Sequence, residues 1–373
     1  LSKPAQEGGH YQQREKGRGG GRKGRKNIGK EGENMVVIAG KKIQNSTEPF
    51  IVAEAASNHK GDLQLAKRLI DTAVECGCHS VKFQVWSKKS LFSKSAFAHK
   101  PALEQEIDRY ALSLPDFKEL KEYGEAQGII VSASAFCKEE VDYLVQTADV
   151  AYLKIASMDI TNLPFLEYVA QQGKPVILST GLASVAEIDE AVTLIHRYTP
   201  DLILLHCTSL YPQKDEQSQL HTISFLQETF QVPVGYSDHS VGITLPLAAV
   251  VKGACLLEKH FALDKHDEKI WDKDFSANPA ELKNLVEESR RVVKALGSTR
   301  IILDEEKLKQ REVMRRSIVV SRALPRGHIL TPEDLLFKRP GTGLEPKKAG
   351  FLIGRTLNRS LSVDDLIRFE DLV

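Results

Sequence analysis

The stretch FIVAEAASNHKGDLQLAKRLIDTAVECGCHSVKFQVW (50–86) decides the fold. Its two ends, 50–56 and 80–86, are short apolar runs with β-branched residues, which are typical of buried strands. Between them, apolar residues recur at helical spacing over 63–77, and Gly77 ends the helix. A strand, a helix and a second strand in this order predict a βαβ unit, in which the two strands lie parallel.

The same alternation continues along the chain, and eight strand-like runs can be counted. They are FIVAEAA (50–56), SVKFQVW (80–86), IIVSASAF (129–136), VAYLKIAS (150–157), PVILST (175–180), LILLHC (202–207), PVGYSDH (233–239) and ACLLEKHF (254–261). Eight strands separated by helices predict an α/β protein with a closed (β/α)8 barrel, the TIM barrel. The longer interval at 87–128 predicts an insertion or a helix pair over the mouth of the barrel.

The 373 residues exceed a single barrel of about 250 residues, so we expect a second, small domain. Residues 1–34 contain nine glycines and nine Lys or Arg but almost no large apolar side chain, which predicts a disordered basic extension. The remaining segments are predicted as the barrel (35–298), a charged linker (299–314) and the small domain (315–373). Within the small domain we expect a strand at 317–330 and a helix start at 331–334.

The composition argues against polyanionic partners, because 51 Lys and Arg stand against 50 Asp and Glu. We therefore expect no nucleic-acid and no membrane partner. The basic residues 1–34 leave a nucleic-acid-binding arm as the alternative to a dispensable extension. The chain has five cysteines without a C-x-x-C pair, no apolar signal core and no run of about 20 apolar residues, which together predict a cytoplasmic protein.

Two lysines lie inside otherwise apolar strands, Lys82 in the second and Lys154 in the fourth. An unpaired ammonium group is costly to bury, so we expect an anion to neutralise them. Functional groups of TIM barrels lie at the C-terminal ends of the strands, and hydroxyl groups occur there too. These belong to Ser157, Ser179, Ser209 and Ser237. Two cations and a ring of hydroxyls predict a phosphate pocket, with a Schiff-base lysine as the alternative.

Two histidines, His239 and His260, end the seventh and eighth strands, which are neighbours in a closed barrel. We expect their imidazoles to converge on one divalent metal ion, Mn²⁺ or Mg²⁺, together with carboxylates from Glu54 and Asp272. His206 ends the sixth strand and is either a third metal ligand or a hydrogen-bonded core residue.

Several motifs together resemble, in order and spacing, those of the N-acetylneuraminate (sialic acid) synthase family. They are AEAASNHKGD (53–62), VKFQ (81–84), YLKIASMDITN (152–162), ILSTGLAS (177–184), LHCTSLYP (205–212), GYSDHS (235–240), LEKHF (257–261) and KRPGTG (338–343). The resemblance covers residues 40–373. It implies a TIM barrel followed by a small C-terminal antifreeze-like (SAF) domain.

The resemblance also implies roles for individual residues. In that family, phosphoenolpyruvate is held by the residues that match Lys82, Lys154, Ser157, Ser179 and Ser237. The metal is bound by the counterparts of His239 and His260, and Glu54 matches an acidic group near the reacting centre. The sugar is surrounded by the counterparts of Gln84, Tyr211 and Asp272. Arg339 matches an arginine that the small domain of one subunit contributes to the barrel of its partner, which implies a domain-swapped homodimer.

The implied activity is that of a transferase. It condenses phosphoenolpyruvate with an open-chain N-acyl hexosamine, such as N-acetylmannosamine or a related diacetamido sugar, to give a nonulosonic acid and phosphate. A related synthase for another aldose is one alternative, and a non-catalytic sugar- or anion-binding barrel is another. Three positions depart from the family pattern: Asp159 replaces the usual glutamate, Lys273 a histidine, and the pair at 364–365 a glycine. The first two border the predicted sugar site, so the acceptor stays open.

Overall fold

A computed structural model of the chain describes residues 34–99 and 101–373. The chain divides into two compact units, of which the first ends at Leu296 and the second spans Gly297–Val373. The predicted extension at 1–34 lies, except for its last residue, outside the described residues. The other domain boundaries stay predictions.

The first unit begins with an antiparallel hairpin of β1 (Met35–Ile38) and β2 (Lys41–Gln44). Val36 and Ile43 are buried against apolar residues near the N-terminal ends of the barrel strands, among them Phe50. The hairpin therefore covers the N-terminal end of the barrel. The C-terminal end, where TIM barrels carry their active sites, is left for functional side chains.

The barrel consists of eight strands, each of which lies within a run predicted from the sequence. They are β3 (Phe50–Ala56), β4 (Ser80–Gln84), β5 (Ile130–Ser134), β6 (Leu153–Ile155), β7 (Val176–Ser179), β8 (Leu202–His206), β9 (Val234–Asp238) and β10 (Leu256–His260). Each strand is parallel to its neighbours, and β10 pairs with β3 to close the sheet. The predicted (β/α)8 barrel is confirmed.

Helices follow the barrel strands, and most of them pack on the outer apolar layer of the barrel. They are α1 (Leu63–Glu75), α2 (Lys88–Leu91), α3 (Lys94–His99), α4 (Pro101–Tyr110), α5 (Leu114–Ala126), α6 (Lys138–Asp142), α7 (Leu163–Ala170), α8 (Val185–Ile195), α9 (His221–Phe230), α10 (Thr244–Val251) and α11 (Pro279–Leu296). The Asp62 side chain caps α1, and Gly77 follows it with a φ of +76°, so the predicted glycine stop is confirmed. Among the described residues, no helix is long and apolar enough to span a membrane.

The interval predicted as an insertion contains three short helices, α2, α3 and α4, ahead of α5. Their apolar side chains form a separate small cluster around Trp86, Ile107 and Tyr110, against which Leu91 and Phe136 pack. Leu91 of α2 also lines the central cavity of the barrel, so this insertion contributes to the cavity wall.

The second unit contains α12 (Glu305–Met314), β11 (Ser317–Val320), β12 (Leu335–Lys338) and α13 (Ala349–Leu352). The predicted linker thus includes a helix, and the strand predicted at 317–330 ends early, at Val320. A helix starts at 331–334 as predicted, but it is only a single 3-10 turn, Pro332–Asp334, with Thr331 at its N-cap. The physical reason is that the chain must extend directly after this turn, where β12 pairs antiparallel with β11 and Leu335 is buried.

Two segments of the second unit are related by an approximate internal two-fold symmetry. SRALPRGHILTPEDL (321–335) aligns with NRSLSVDDLIRFEDL (358–372), and the equivalent residues Leu324 and Leu361 exchange backbone hydrogen bonds of 2.8 and 2.9 Å. In each segment an arginine side chain binds the aspartate of the Glu-Asp-Leu motif. Gly327, with a φ of +85°, corresponds in this alignment to Asp364, with a φ of +69°.

Replacing Asp364 by glycine should stabilise the second unit by about 0.5–1 kcal/mol, because an L-residue is strained at positive φ and glycine is not. Its ion pair with Lys338 is solvent-exposed and should contribute little. Native-state hydrogen exchange of the Leu324 and Leu361 amides in the full chain would measure the opening free energy. The matched control, Gly327→Asp, should lower that free energy; equal protection in both variants would contradict the explanation.

Candidate active site

Strand alternation separates the core of the barrel from its cavity. In β4, Val81 and Phe83 pack in the apolar layer beneath the helices, whereas Lys82 and Gln84 point to the barrel centre. The cavity there has a volume of about 140 Å³. Ten of the residues predicted from the sequence line it, namely Glu54, Lys82, Gln84, Lys154, Ser157, Ser179, Tyr211, Ser237, His239 and His260.

The Lys82 ammonium group is buried and surrounded by carboxylates. It forms an ion pair with Glu54 Oε2, donates to Ser134 Oγ at 2.9 Å and lies 3.7 Å from Glu258 Oε2. Burial disfavours the charged form, but Glu258 and Glu54 outweigh this effect and raise the pKa of Lys82 above its ordinary value. The raised pKa favours the charged ammonium form of Lys82 over the free amine that a Schiff base requires.

Lys154 lies across the cavity from Lys82 and shares a carboxylate with it. Its Nζ donates to Ser179 Oγ at 2.8 Å and lies 3.8 Å from Glu258 Oε1. Burial lowers the pKa of Lys154 in spite of the attraction to Glu258. The ammonium group is thus poorly solvated, and its charge would be stabilised by an additional anion.

Glu258 bridges the two lysines and was not among the predicted site residues. Although burial opposes its ionisation, Lys154 and Lys82 lower the pKa of Glu258 to about 2. Its Oε1 also accepts a hydrogen bond of 2.9 Å from Ser237. An anion was expected to neutralise the lysines, and in the structure the carboxylates of Glu258 and Glu54 do so in part. The signal in the sequence was strand alternation, since Glu258 and His260 lie on the same face of β10.

The pKa of Glu54 is shifted in the opposite direction to that of Glu258. Burial raises the pKa of Glu54, the nearby Glu258 adds to this effect, and Lys82 opposes it. Gln84 Nε2 donates to Glu54 Oε1 at 3.2 Å. When Glu54 is protonated, a single carboxylate remains between two ammonium groups, which leaves a net positive charge for a phosphate.

The predicted hydroxyls lie at the C-terminal ends of the strands, together with one that was not predicted. Ser157 Oγ and Ser209 Oγ are 2.8 Å apart. Ser157 lines the cavity, whereas Ser209 contacts it only through Ser157. Ser134, at the end of β5, lines the cavity and could have been found by the same strand-end rule. Gly181 is required here, because a Cβ atom would lie 2.1 Å from Ser209 Oγ.

The imidazoles of His239 and His260 lie next to each other, with ring centroids 5.3 Å apart. Two imidazoles that bind one ion at about 2.1 Å have ring centres roughly 5 Å apart, so this spacing fits. His239 Nδ1 is buried without a hydrogen-bond partner among the described residues. Burial and the nearby His260 lower the pKa of His239 well below its ordinary value, which favours the neutral, metal-binding form.

The structure corrects the expectation that Glu54 and Asp272 provide carboxylate ligands to the metal ion. Glu54 is engaged with Lys82 and Gln84, while Asp272 Oδ2 lies 3.0 Å from Nδ1 of His260. Burial opposes protonation of His260, but Asp272 raises its pKa. Within residues 34–99 and 101–373, no three His, Cys, Asp or Glu side chains converge as a ready ion site. Asp272 instead orients an imidazole, as carboxylates next to metal-binding histidines commonly do.

Three other predicted residues have distinct positions. His206 Nε2 lies 2.7 Å from the carbonyl oxygen of Ser218 and its ring stacks on Tyr236, so the core-residue alternative holds. The ring of Tyr211 lies 4.3 Å from that of His239. Arg339 belongs to the second unit, where it follows β12 and is exposed, and its contribution to a partner's barrel stays a prediction.

Behind the histidines, a buried ion pair joins β9 and β10. Lys259 Nζ donates to Asp238 Oδ2 at 2.6 Å and to the Ser240 carbonyl oxygen at 2.5 Å, and both charged side chains are inaccessible to solvent. Asp238 directly precedes His239, and Lys259 directly precedes His260. The pair therefore anchors the backbone that carries both imidazoles.

Comparison with protein families agrees with this arrangement. The model of the NeuB family matches residues 69–300, and that of the SAF domain matches residues 315–373. An N,N'-diacetyllegionaminic acid synthase of Legionella pneumophila is 36% identical, over 91% of this chain and 99% of its own length. The human N-acetylneuraminate-9-phosphate synthase is 35% identical, over 87% of this chain and 92% of its own length.

A solved structure supports the same assignment. The N-acetylneuraminic acid (sialic acid) synthetase of Leptospira borgpetersenii, crystallised with citrate, superimposes with a TM-score of 0.69 at 35% identity. The match covers 74% of this chain and 95% of that one. The family model, the relatives and the barrel with its polar C-terminal cavity agree, and the chain belongs to the NeuB family of synthases, as an enzyme with a C-terminal SAF domain.

Proposed function

We propose that this enzyme condenses phosphoenolpyruvate with an open-chain N-acyl hexosamine to give a nonulosonic acid and phosphate. The observation that carries the proposal is one cavity that combines two buried lysines, a set of hydroxyls and an adjacent pair of imidazoles. The relatives named above are synthases of nonulosonic acids. The non-catalytic alternative has no comparable support, because buried, mutually perturbed ionisable groups are typical of catalytic sites.

The phosphate end of phosphoenolpyruvate is assigned to the lysine side of the cavity. Lys82 and Lys154 supply the positive charge, and Ser157, Ser179 and Ser237 supply hydroxyl donors. Incoming phosphate oxygens would take over the ammonium hydrogens that now face Glu258 and the serine hydroxyls. These cations also stabilise the negative charge that develops on phosphate as it departs.

The aldehyde end of the sugar is assigned to the histidine side. His239 and His260 would hold a divalent ion, Mn²⁺ or Mg²⁺, and such an ion supplies Lewis-acid polarisation of the aldehyde oxygen. Tyr211 and Phe275, whose rings contact His239, supply aromatic surface next to this side. Asp272 keeps the His260 ring in one orientation.

The bond changes balance without a redox partner. C3 of the enol attacks the aldehyde carbon, a water molecule adds its oxygen to C2, and phosphate leaves with the C2–O bond electrons. Glu54, whose raised pKa allows it to hold a proton at the cavity floor, is the side chain best placed to exchange protons with the reacting atoms.

The acceptor is proposed as N-acetylmannosamine or a related diacetamido hexose, in its free or phosphorylated form. The phosphorylated form is included among the proposed acceptors because one relative is named for a 9-phosphate product. Of the two unusual positions near this region, Lys273 pairs with Glu268 in the structure rather than with Asp272. Asp159 is partly buried, and burial raises its pKa.

We also propose a domain-swapped homodimer in which Arg339 serves the barrel of the partner. Support comes from the second unit, which exposes several large apolar side chains around its surface. These include Ile329, Phe337, Phe351, Val363 and Phe369. Two of these side chains, Phe351 and Phe369, contact each other with ring centroids 5.5 Å apart, and an exposed apolar cluster favours a protein partner.

A single assay tests the reaction. The purified full chain is incubated with phosphoenolpyruvate, Mn²⁺ and a panel of free and 6-phosphorylated N-acyl hexosamines, and phosphate release and product mass are followed. We expect phosphate release only with a matching acceptor, and a product whose mass equals both substrates plus water minus phosphate. Bound metal without turnover of any sugar would contradict the proposal and favour the binding-protein alternative.

A further inference from the structure

Both tryptophans of the chain lie in one aromatic stack beside the cavity. The ring centroids of Trp86 and Trp271 are 6.1 Å apart, and the two planes differ by only 7°. The tilted ring of Tyr110 lies 4.6 Å from that of Trp271. Stacked and tilted contacts of this kind stabilise aromatic side chains against one another beyond the area that they bury.

The stack joins two segments that are distant in sequence. Trp86 follows β4 and Tyr110 ends α4, whereas Trp271 lies in the segment between β10 and α11. The Tyr110 hydroxyl also donates to the carbonyl oxygen of Lys269 at 2.8 Å. The segment after β10 is therefore attached to the insertion by ring contacts and by a hydrogen bond.

On the β4 side, the stack continues into the cavity through Gln84. Trp86 Nε1 donates to Gln84 Oε1 at 3.1 Å, and Gln84 Nε2 donates to Glu54 Oε1 at 3.2 Å. The indole N–H can only donate, so it determines which end of the Gln84 amide faces Glu54. A shift of Trp86 would therefore rotate or displace this amide.

On the β10 side, Trp271 directly precedes Asp272. The Asp272 carboxylate holds Nδ1 of His260 at 3.0 Å, so the position of Trp271 is transmitted to the histidine side of the cavity. Gln84, which accepts from Trp86, lines the cavity, and Asp272 orients His260, the side to which the sugar aldehyde is assigned. The ring contact thus connects both of them.

We propose that Trp271 is a positioning residue for the sugar acceptor: by stacking on Trp86, it sets the distance between Gln84 and Asp272. The inference rests on the proposed function, because it names the acceptor side of the same site. The KM for phosphoenolpyruvate should change little, since Lys82 and Lys154 donate to Ser134 and Ser179, whereas Gln84 is bonded directly to Trp86. The expected signature is a selective change in acceptor affinity.

The test uses the full chain with Trp271→Ala and the acceptor identified in the synthase assay. We expect the KM for the acceptor to rise roughly tenfold, while the KM for phosphoenolpyruvate stays within about twofold. Trp271→Phe, which keeps an aromatic ring, should restore most of the acceptor affinity. Tyr198→Ala removes a ring of nearly equal exposure, 43% against 45%, outside the cavity and should change neither constant.

Tryptophan fluorescence supplies a second readout, because the stack holds the only two tryptophans of the sequence. In the wild type, saturable emission changes should follow acceptor binding, and the midpoint should shift in Trp271→Ala by the same factor as KM. An unchanged acceptor KM would overturn the inference, and so would an equal rise in both KM values, which indicates general loosening. A wild type that turns over no sugar would instead overturn the proposed function, and the inference with it.

Discussion

Replacing Lys154 by methionine should lower kcat/KM for phosphoenolpyruvate by roughly a thousandfold, which corresponds to about 4 kcal/mol of transition-state stabilisation. Methionine has a similar length and no charge, so the volume of the site is nearly kept. The lost group is a buried ammonium that donates to Ser179 Oγ at 2.8 Å and faces Glu258. In a cavity with little water, no solvent can replace it as a donor to the departing phosphate.

The same substitution should also change Glu258. With one of its two cations gone, the pKa of Glu258 should rise from about 2, and the carboxylate then repels phosphate more effectively because only Lys82 neutralises it. Steady-state kinetics with phosphoenolpyruvate as the varied substrate would measure the loss, and circular dichroism would confirm that the variant is folded.

Lys174→Met is the matched control for this experiment. Lys174 forms an ion pair with Asp149 at 2.6 Å on the outside of the barrel, where Asp149 is largely exposed. Loss of such a surface pair should leave both activity and stability nearly unchanged. If Lys154→Met retains kcat/KM within tenfold of the wild type, the assignment of the phosphate site is wrong.

Replacing His239 by alanine should weaken Mn²⁺ binding by roughly a hundredfold or more and reduce turnover on the order of 10³-fold. The His239 and His260 rings are 5.3 Å apart, and Nδ1 of His239 is buried without a partner among the described residues. With no third His, Cys, Asp or Glu converging on this pair in residues 34–99 and 101–373, loss of one imidazole leaves a single protein ligand.

Electron paramagnetic resonance of added Mn²⁺ would measure binding to the protein independently of activity. His221→Ala serves as the control, because His221 is an exposed histidine on α9 and contacts only Lys252 Nζ among the described polar groups. Undiminished Mn²⁺ binding by His239→Ala would remove the proposed metal site. Retained binding with lost turnover would assign His239 a catalytic role other than metal binding.

Much of the site followed from local patterns. Alternate side chains of each strand point into the barrel, and functional groups lie at the C-terminal ends of the strands. The sequence alone was therefore enough to assign Lys82, Lys154 and the two histidines to the cavity. The helix stop at Gly77 was equally local, because glycine adopts a positive φ without strain. The resemblance to known motifs then added the substrates, which no periodicity specifies.

Such patterns did not predict which charged side chains pair with one another within the site. Glu258 neutralises Lys82 and Lys154 together, and Asp272 holds His260 instead of completing a metal site. Each of these contacts depends on distances between segments that are far apart in sequence. Because the interaction energy of two charges depends on their separation, a difference of a few ångströms decides which groups form an ion pair. Sequence spacing along one strand carries no such information.

By itself, the sequence determined the eight-stranded barrel and the end of it that carries the chemistry, because hydrophobic periodicity and helix stops act within a few residues. The tertiary structure alone decided that His206 is a core residue, that the carboxylates pair with lysine and histidine, and that Trp86 stacks on Trp271. Such contacts form only when closure of the barrel brings distant segments together, and burial then makes each polar contact specific.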